Sequence, residues 1–304
     1  MTIADQITRL QNAKSAIKQS IQNKGVVVSD DATLDSYPAL IDSIGGGGGD
    51  DLYSEFMNMR TLPGTGYDNI EYLFYGSNIV NEKVANMIET MDTSNVSSIR
   101  YVLGRCGYYT DNTISELDLS SWDVSNCSNF SYAFSECNLD HVNISGWDFS
   151  STTSLTSMFS SSKFTSIDMT NCVTDTIKEM SQIFFSTPNL VNVYGELDLS
   201  NMSNGTYPSS STHAFRRASS LETLYLKNIY KNVSMTNNSK YSINLGDTKL
   251  KNECIAYIIN ELPNLASKGI TNNTSIIFTL PPTCTLPSSQ VQFAADKGWI
   301  IAEV

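Results

Sequence analysis

One dipeptide constrains this chain more than any other feature: Trp122-Asp123 returns 25 residues later as Trp147-Asp148. At the same offset Leu117 and Leu119 recur as Val142 and Ile144, then as Ile167 and Met169, and Phe134 recurs as Phe159. Upstream, an offset of 31 maps Asp92, Ser94, Asn95, Ile99, Leu103 and Cys106 onto Asp123, Ser125, Asn126, Phe130, Phe134 and Cys137. An offset of 29 then places Ile70, Phe74 and Ser77 where Ile99, Leu103 and Cys106 stand. Downstream, Leu197-Asp198-Leu199 and Leu224-Tyr225-Leu226 extend the strand motif at spacings of 30 and 27. A unit this short cannot bury its apolar side alone, so successive units must stack, each resting on the next.

Each part of the unit carries a local expectation. Leu117-Asp118-Leu119 alternates as a half-buried strand does. Asp123 and Ser125 are turn formers whose side chains bond nearby backbone amides. Phe130, Ala133 and Phe134 are spaced as on one face of a short helix, with Ser128 as its N-cap and Ser97 and Thr153 as the equivalents in neighbouring units. The 40% apolar content supplies a sizeable core, and only 16% of residues are charged. Ser, Asn and Thr fill the polar positions, which suits short strands and turns. Burial at ~25 cal/mol per Å² of apolar area then accumulates along the stack.

The unit Leu117-Asp118-Leu119-Ser120-Ser121-Trp122-Asp123-Val124-Ser125-Asn126, the partial copy Met91-Asp92-Thr93-Ser94-Asn95-Val96 and the segment Asn69 to Ser77 resemble the BspA-type leucine-rich repeat over roughly residues 55–235. The resemblance implies a right-handed solenoid of the kind found in surface proteins that bind proteins or glycans. After Cys172 the tryptophan is lost and insertions appear around Asn204 to Ser211. The expected fold is thus α/β: a leucine-rich-repeat solenoid of short strands and short helices over residues 52–304, with a C-terminal cap from about 245 and a helical N-terminal segment in front. In the cap, Leu250, Cys254, Ile258 and Leu262 predict a helix over 249–262. Residues 275–279 read as a strand, Ser288 or Ser289 caps a helix through Asp296, and Trp299 to Ala302 form a last strand.

Five glycines, Gly45 to Gly49, begin a linker over residues 45–51 that sets residues 1–44 apart. In this head Ile3, Ile7, Leu10, Ile17 and Ile21 form one helical stripe, Gly25 stops it, and Tyr37-Pro38-Ala39-Leu40-Ile41 starts a second short helix. So short a segment cannot bury a self-sufficient core. Its stripe therefore needs a second copy or another protein, or it folds back on the body. Ala13-Lys14-Ser15-Ala16-Ile17, Ile21, Lys24-Gly25 and Tyr37 to Ile41 resemble a segment at the starts of phage structural proteins. The resemblance implies attachment or oligomerisation through Ile7, Leu10, Ile17, Ile21, Tyr37, Leu40 and Ile41, with other virion proteins as partners and a homo-oligomer as the expected state.

Several chemistries find no support. A net charge of −12 disfavours nucleic acid and anionic membranes, and no apolar run approaches the ~18 residues a membrane span needs. The start, Met1-Thr2-Ile3-Ala4, does not read as a signal peptide. Trp122 and Trp147 could stack on sugars, but their shared register reads as core. Asp123 and Asp148 read as turn caps rather than a metal pair or paired carboxylates. Ser77, Cys106, Cys137 and Ser162 share one position, which reads as small and buried. The two histidines, His141 and His213, have no zinc-ligand spacing and no nucleophile elbow accompanies them, so no metal, cofactor or catalytic residue is expected. The expected role is adhesion: a phage virion fibre or decoration protein that binds a surface protein or glycan of a bacterium or host through its repeats. The alternatives are a bacterial cell-surface adhesin and, third, a polysaccharide depolymerase.

Overall fold

The computed structural model describes residues 14–15, 17–19, 21–22, 28, 70–76, 79, 82–108, 114–203, 213–236, 241–270 and 276–303. The chain forms two compact units, Met1–Tyr67 and Asp68–Val304. In the first, residues 14–15, 17–19 and 21–22 are helical, and Ile17, Ile21 and Val28 are buried.

The second unit is mixed α/β. Helix α1 (Glu82–Glu89) precedes five strands, β1 (Glu116–Asp118), β2 (His141–Asn143), β3 (Ser166–Asp168), β4 (Asn192–Asp198) and β5 (Thr223–Lys227). They form one parallel sheet in chain order. The three-residue strands each bury only their central side chain, because the strand period is two. The repeat offset becomes strand register: Leu117 faces Val142, Val142 faces Ile167, and Ile167 faces Val193. Here one expectation is corrected. Val193, not Leu197, sits opposite Ile167, and Leu197 instead faces Leu226. Strand β4 is seven residues long with a register shift between Asn192 and Glu196, so it meets one neighbour at each end. Gly195, at φ +92, makes the shift feasible: a Cβ there would lie 2.5 Å from the Met169 carbonyl oxygen.

The segment expected to be a short helix is not one. Residues 131–136 form successive turns, and Tyr132 and Glu136 adopt left-handed backbone at φ 60° and 57°. Half of the amides bond locally: Ala133 N–H to Phe130 O and Ser135 N–H to Tyr132 O. The others reach the next unit: Phe134 N–H to Met158 O and Glu136 N–H to Ser160 O. A helix would aim all its amides along one axis and bond its later ones four residues back, so alternate amides could not reach the next unit. Ser128 caps nothing; its Oγ donates to Ser97 O of the preceding unit at 3.3 Å. The same alternation runs from residue 99 to 106, where Val102 and Gly104 bond back to Ile99 and Tyr101, while Leu103 and Arg105 bond forward to Ala133 and Ser135.

Aromatic rings fill the space between strands and turns. Trp122 and Trp147 stack with centroids 6.0 Å apart and planes 9° apart. Their indole N–H groups donate to Ile88 O and Leu119 O, which satisfies the polar atom of each buried ring. A second column runs Phe134, Phe159, Phe184, Phe215, with steps of 5.4, 5.6 and 6.0 Å. Cys106, Cys137 and Ser162 are buried at their shared position, as their size suggested.

The later residues form a separate sheet and two α-helices. A second parallel sheet comprises β6 (Tyr241–Asn244), β7 (Ile276–Leu280) and β8 (Ile300–Glu303). Helix α2 (Asn252–Glu261) buries Cys254, Ile255, Ile258 and Ile259, and is joined to the preceding unit through Lys249 N–H to Leu221 O and Lys251 N–H to Glu222 O. Helix α3 (Ser288–Asp296) starts after Pro287 without a side-chain cap, so neither Ser288 nor Ser289 plays the expected part. The Lys297 ammonium caps the end of α2 instead, donating to the carbonyls of Ile259, Asn260 and Leu262 at 3.0, 2.7 and 2.8 Å. Gly195→Ala tests the register shift: it should destabilise the chain by about 2 kcal/mol or more, read as a lower urea midpoint, because its Cβ meets backbone and its φ disfavours any side chain.

Candidate binding face

The left-handed turn position has a consequence for the surface. Tyr72, Tyr101 and Tyr132 occupy it on three successive units, at φ 59°, 55° and 60°. Because the units are in register, the three rings at this position pile up. Tyr72 and Tyr101 stack at 4.9 Å and 19°, and Tyr101 and Tyr132 at 4.7 Å and 4°. Tyr75 stands edge-on to Tyr72 and Tyr101 at 5.5 and 5.9 Å. Gly104 leaves it room, since a Cβ there would lie 3.1 Å from Tyr75 Cδ2 and 3.0 Å from Tyr101 Cδ1. The next two units carry Ser157 and Gln182 at the left-handed position, so the tyrosine column ends at Tyr132.

Two arginines hold the rings. The Arg100 guanidinium lies 5.6 Å from the Tyr72 centroid and 4.9 Å from that of Tyr101, and donates to the Tyr72 hydroxyl at 3.0 Å. Arg105 lies over Tyr75 and Tyr108 and forms a forked ion pair with Glu136 at 3.1 and 3.2 Å. Cation–π contacts of this kind contribute about 0.5–1 kcal/mol each at exposed sites. Burial, and then the neighbouring Tyr132 and Tyr72, push the Tyr101 phenol above its ordinary pKa, so it stays a neutral hydroxyl. Tyr72, Tyr75 and Tyr108 remain 45%, 37% and 54% exposed. The face is therefore aromatic, hydroxylated and pre-ordered.

The residues singled out by sequence fall elsewhere. Trp122 and Trp147 are core. Asp123 Oδ1 accepts from Ser125 N–H at 3.0 Å and Oγ at 2.6 Å, and Asp148 Oδ1 accepts from Ser150 N–H at 2.8 Å. Asp92, Asp118, Asp168 and Asp198 each accept from the amide two residues on in the same way. His141 sits on β2, its Nδ1 2.8 Å from Ser166 Oγ, and His213 lies in the turn half of a later unit. Of the head residues, Ile17 and Ile21 are helical and buried, whereas Ile7, Leu10, Tyr37, Leu40 and Ile41 lie outside the described residues. The tyrosine column was not anticipated, although its signal was present. Tyr72, Tyr101 and Tyr132 obey the same offsets of 29 and 31 as the apolar positions.

The sequence pattern of the family described as "Mycoplasma protein of unknown function, DUF285" matches residues 68–192 and 106–223. Together these span residues 68–223, or 156 of 304 (223 − 68 + 1). The chain belongs to this family. The matched stretch begins just before Tyr72 and ends at the start of β5, so it contains the tyrosine column and four of the five strands of the first sheet. It lies within the region that resembles BspA-type repeats. No curated protein and no solved structure matches the chain.

The turn chemistry makes a pH prediction. The Ser125 hydroxyl, and then its amide, hold the Asp123 carboxyl below its ordinary pKa. A depressed carboxylate pKa stabilises the fold above the unfolded-state value and loses that contribution as pH falls through the folded value. Ser125→Ala should raise the Asp123 pKa toward its ordinary range, seen by NMR titration of the carboxyl carbon. The variant's stability deficit should be present at neutral pH and fade once both forms are protonated.

Proposed function

We propose that this chain is a non-enzymatic leucine-rich-repeat solenoid that presents a binding face, carried on the surface of a bacteriophage particle as a fibre or decoration protein. The observation that supports it is the tyrosine–arginine column. Three units spend a strained backbone position on side chains that contribute to the outside rather than the core. Left-handed backbone costs a non-glycine residue about 1–2 kcal/mol, and Tyr72, still 45% exposed, recovers little of that by burial. Preformed tyrosines with arginine beside them are the composition of binding hot spots.

Particle attachment is assigned to residues 1–44, through Ile7, Leu10, Ile17, Ile21, Tyr37, Leu40 and Ile41, on the phage-like sequence of that segment. Because Ile17 and Ile21 are buried within the single chain, attachment in this reading uses a folded head rather than an open apolar stripe. Several copies on one particle would raise effective concentration and convert weak single contacts into stable adhesion. A second reading is a bacterial cell-surface adhesin with the same binding face; the family description names a bacterium and no function. Deleting residues 1–44 separates the two. On a phage particle the truncated chain should keep its far-UV circular dichroism and melting temperature yet disappear from purified virions. Incorporation at the full-length level would remove the attachment role. Recovery of the native protein from cell envelopes, with no particle, would select the second reading.

A further inference from the structure

The geometry points to an acidic polysaccharide as the ligand of the tyrosine–arginine face, with the sugar chain running along the column and a carboxylate of it meeting Arg100. This inference rests on the reading of the chain as a binding protein and names what is bound.

Charge is the first reason. The chain as a whole is strongly acidic, at −12, yet the centre of this face is a cation. Arg105 is already neutralised by Glu136. Arg100 forms no ion pair among the described residues; its recorded contacts are the rings of Tyr72 and Tyr101 and the Tyr72 hydroxyl. A guanidinium carries five N–H donors in a planar fork; one Arg100 nitrogen donates to the Tyr72 hydroxyl, which leaves further donors for a carboxylate. The ring contacts also fix its orientation, so little side-chain entropy remains to be lost on binding.

Surface chemistry is the second reason. Among the described residues, the exposed large apolar side chains of this face are Tyr72, Tyr75 and Tyr108, all of them aromatic. The faces of the stacked rings are largely occupied by one another, so the column offers ring edges and hydroxyls rather than an apolar hollow. A folded protein partner would seat an anchor side chain in a pocket at the centre of its contact, which a column of stacked rings does not provide. A polyhydroxylated chain instead matches hydroxyl against hydroxyl and lays C–H groups against rings. Regularity is the third reason. The rings are spaced by 4.9 and then 4.7 Å along a straight column, so a polymer of identical units can meet equivalent groups in succession.

The test uses the full chain and isothermal titration with polygalacturonate and hyaluronate as acidic polymers and dextran as the neutral one. The expected result is binding to at least one acidic polymer, weakened by added salt, and none to dextran. Arg100→Gln should weaken that binding tenfold or more, while Arg100→Lys should recover part of it. Tyr101→Ala should weaken it comparably, and Tyr194→Ala, on the sheet instead of the column, should leave it unchanged. Unchanged far-UV circular dichroism and melting temperature establish that each variant is folded. Arg100→Lys and Tyr101→Phe serve as the milder pair should a larger change prevent folding. Binding to neither acidic polymer, or binding indifferent to Arg100→Gln, overturns the inference. A parallel arm uses bacterial cells that the full chain adheres to. Adhesion that survives periodate oxidation of the cell glycans but is abolished by protease treatment makes the ligand a protein; the ligand assignment then falls while the adhesion reading stands. Adhesion to no bacterial or host cell, with acidic-polymer binding intact, sinks the adhesion reading alone.

Discussion

The arrangement depends on how backbone amides are shared between neighbouring units. In the turn half of each unit, alternate N–H groups close local turns and the remainder bond to the following unit. Buried backbone donors must be satisfied, so the pattern ties each unit to the next as firmly as a strand ladder does. With that spacing imposed on both sides of the core, the rings between them have little choice of position. Trp122 on Trp147, and Phe134 on Phe159 and Phe184, stack at the separation that the backbone sets. The strands contribute comparatively little area, since three of them bury a single side chain each.

The same device creates the outer face. Alternating local and inter-unit bonds require a left-handed residue at every fourth position of the turn segment, as at Tyr101 and Arg105 or Tyr132 and Glu136. Glycine would adopt that backbone without strain. The chain places tyrosine and arginine there instead, and so converts a backbone requirement into an ordered row of outward side chains. Aspartates elsewhere follow a similar economy: their carboxylates are engaged by amides two residues on, which leaves them as turn formers rather than chemical groups. Many of the polar side chains of the turns are in this way committed to holding the stack.

Much of the interior was legible in the sequence. The period of Trp122 and Trp147 and the alternation around Leu117, Val142 and Ile167 each became the contact they implied, and Leu250, Cys254, Ile258 and Leu262 are all buried, although Leu250 and Leu262 lie just outside α2. These signals survive because burial leaves a periodic trace in residue type. The turn half was less legible. Phe130, Ala133 and Phe134 have the spacing of a helical face, and composition cannot tell that spacing from a run of turns in which every second amide looks outward to another unit. Helix α1 was missed although Val84, Ala85 and Ile88 share its buried side, because it falls outside the repeat offsets.

By itself, then, the sequence determined that units of 25 to 31 residues stack, which residues they bury, and that aspartate and serine close their corners, since those properties depend on residue type and spacing alone. Only the tertiary structure decided where the backbone turns left-handed, that β4 slips its register at Gly195, and that Tyr72, Tyr101 and Tyr132 form one column beside Arg100. Those features arise from hydrogen bonds and ring contacts between units about 30 residues apart, and a bond between two units has no signature within either one.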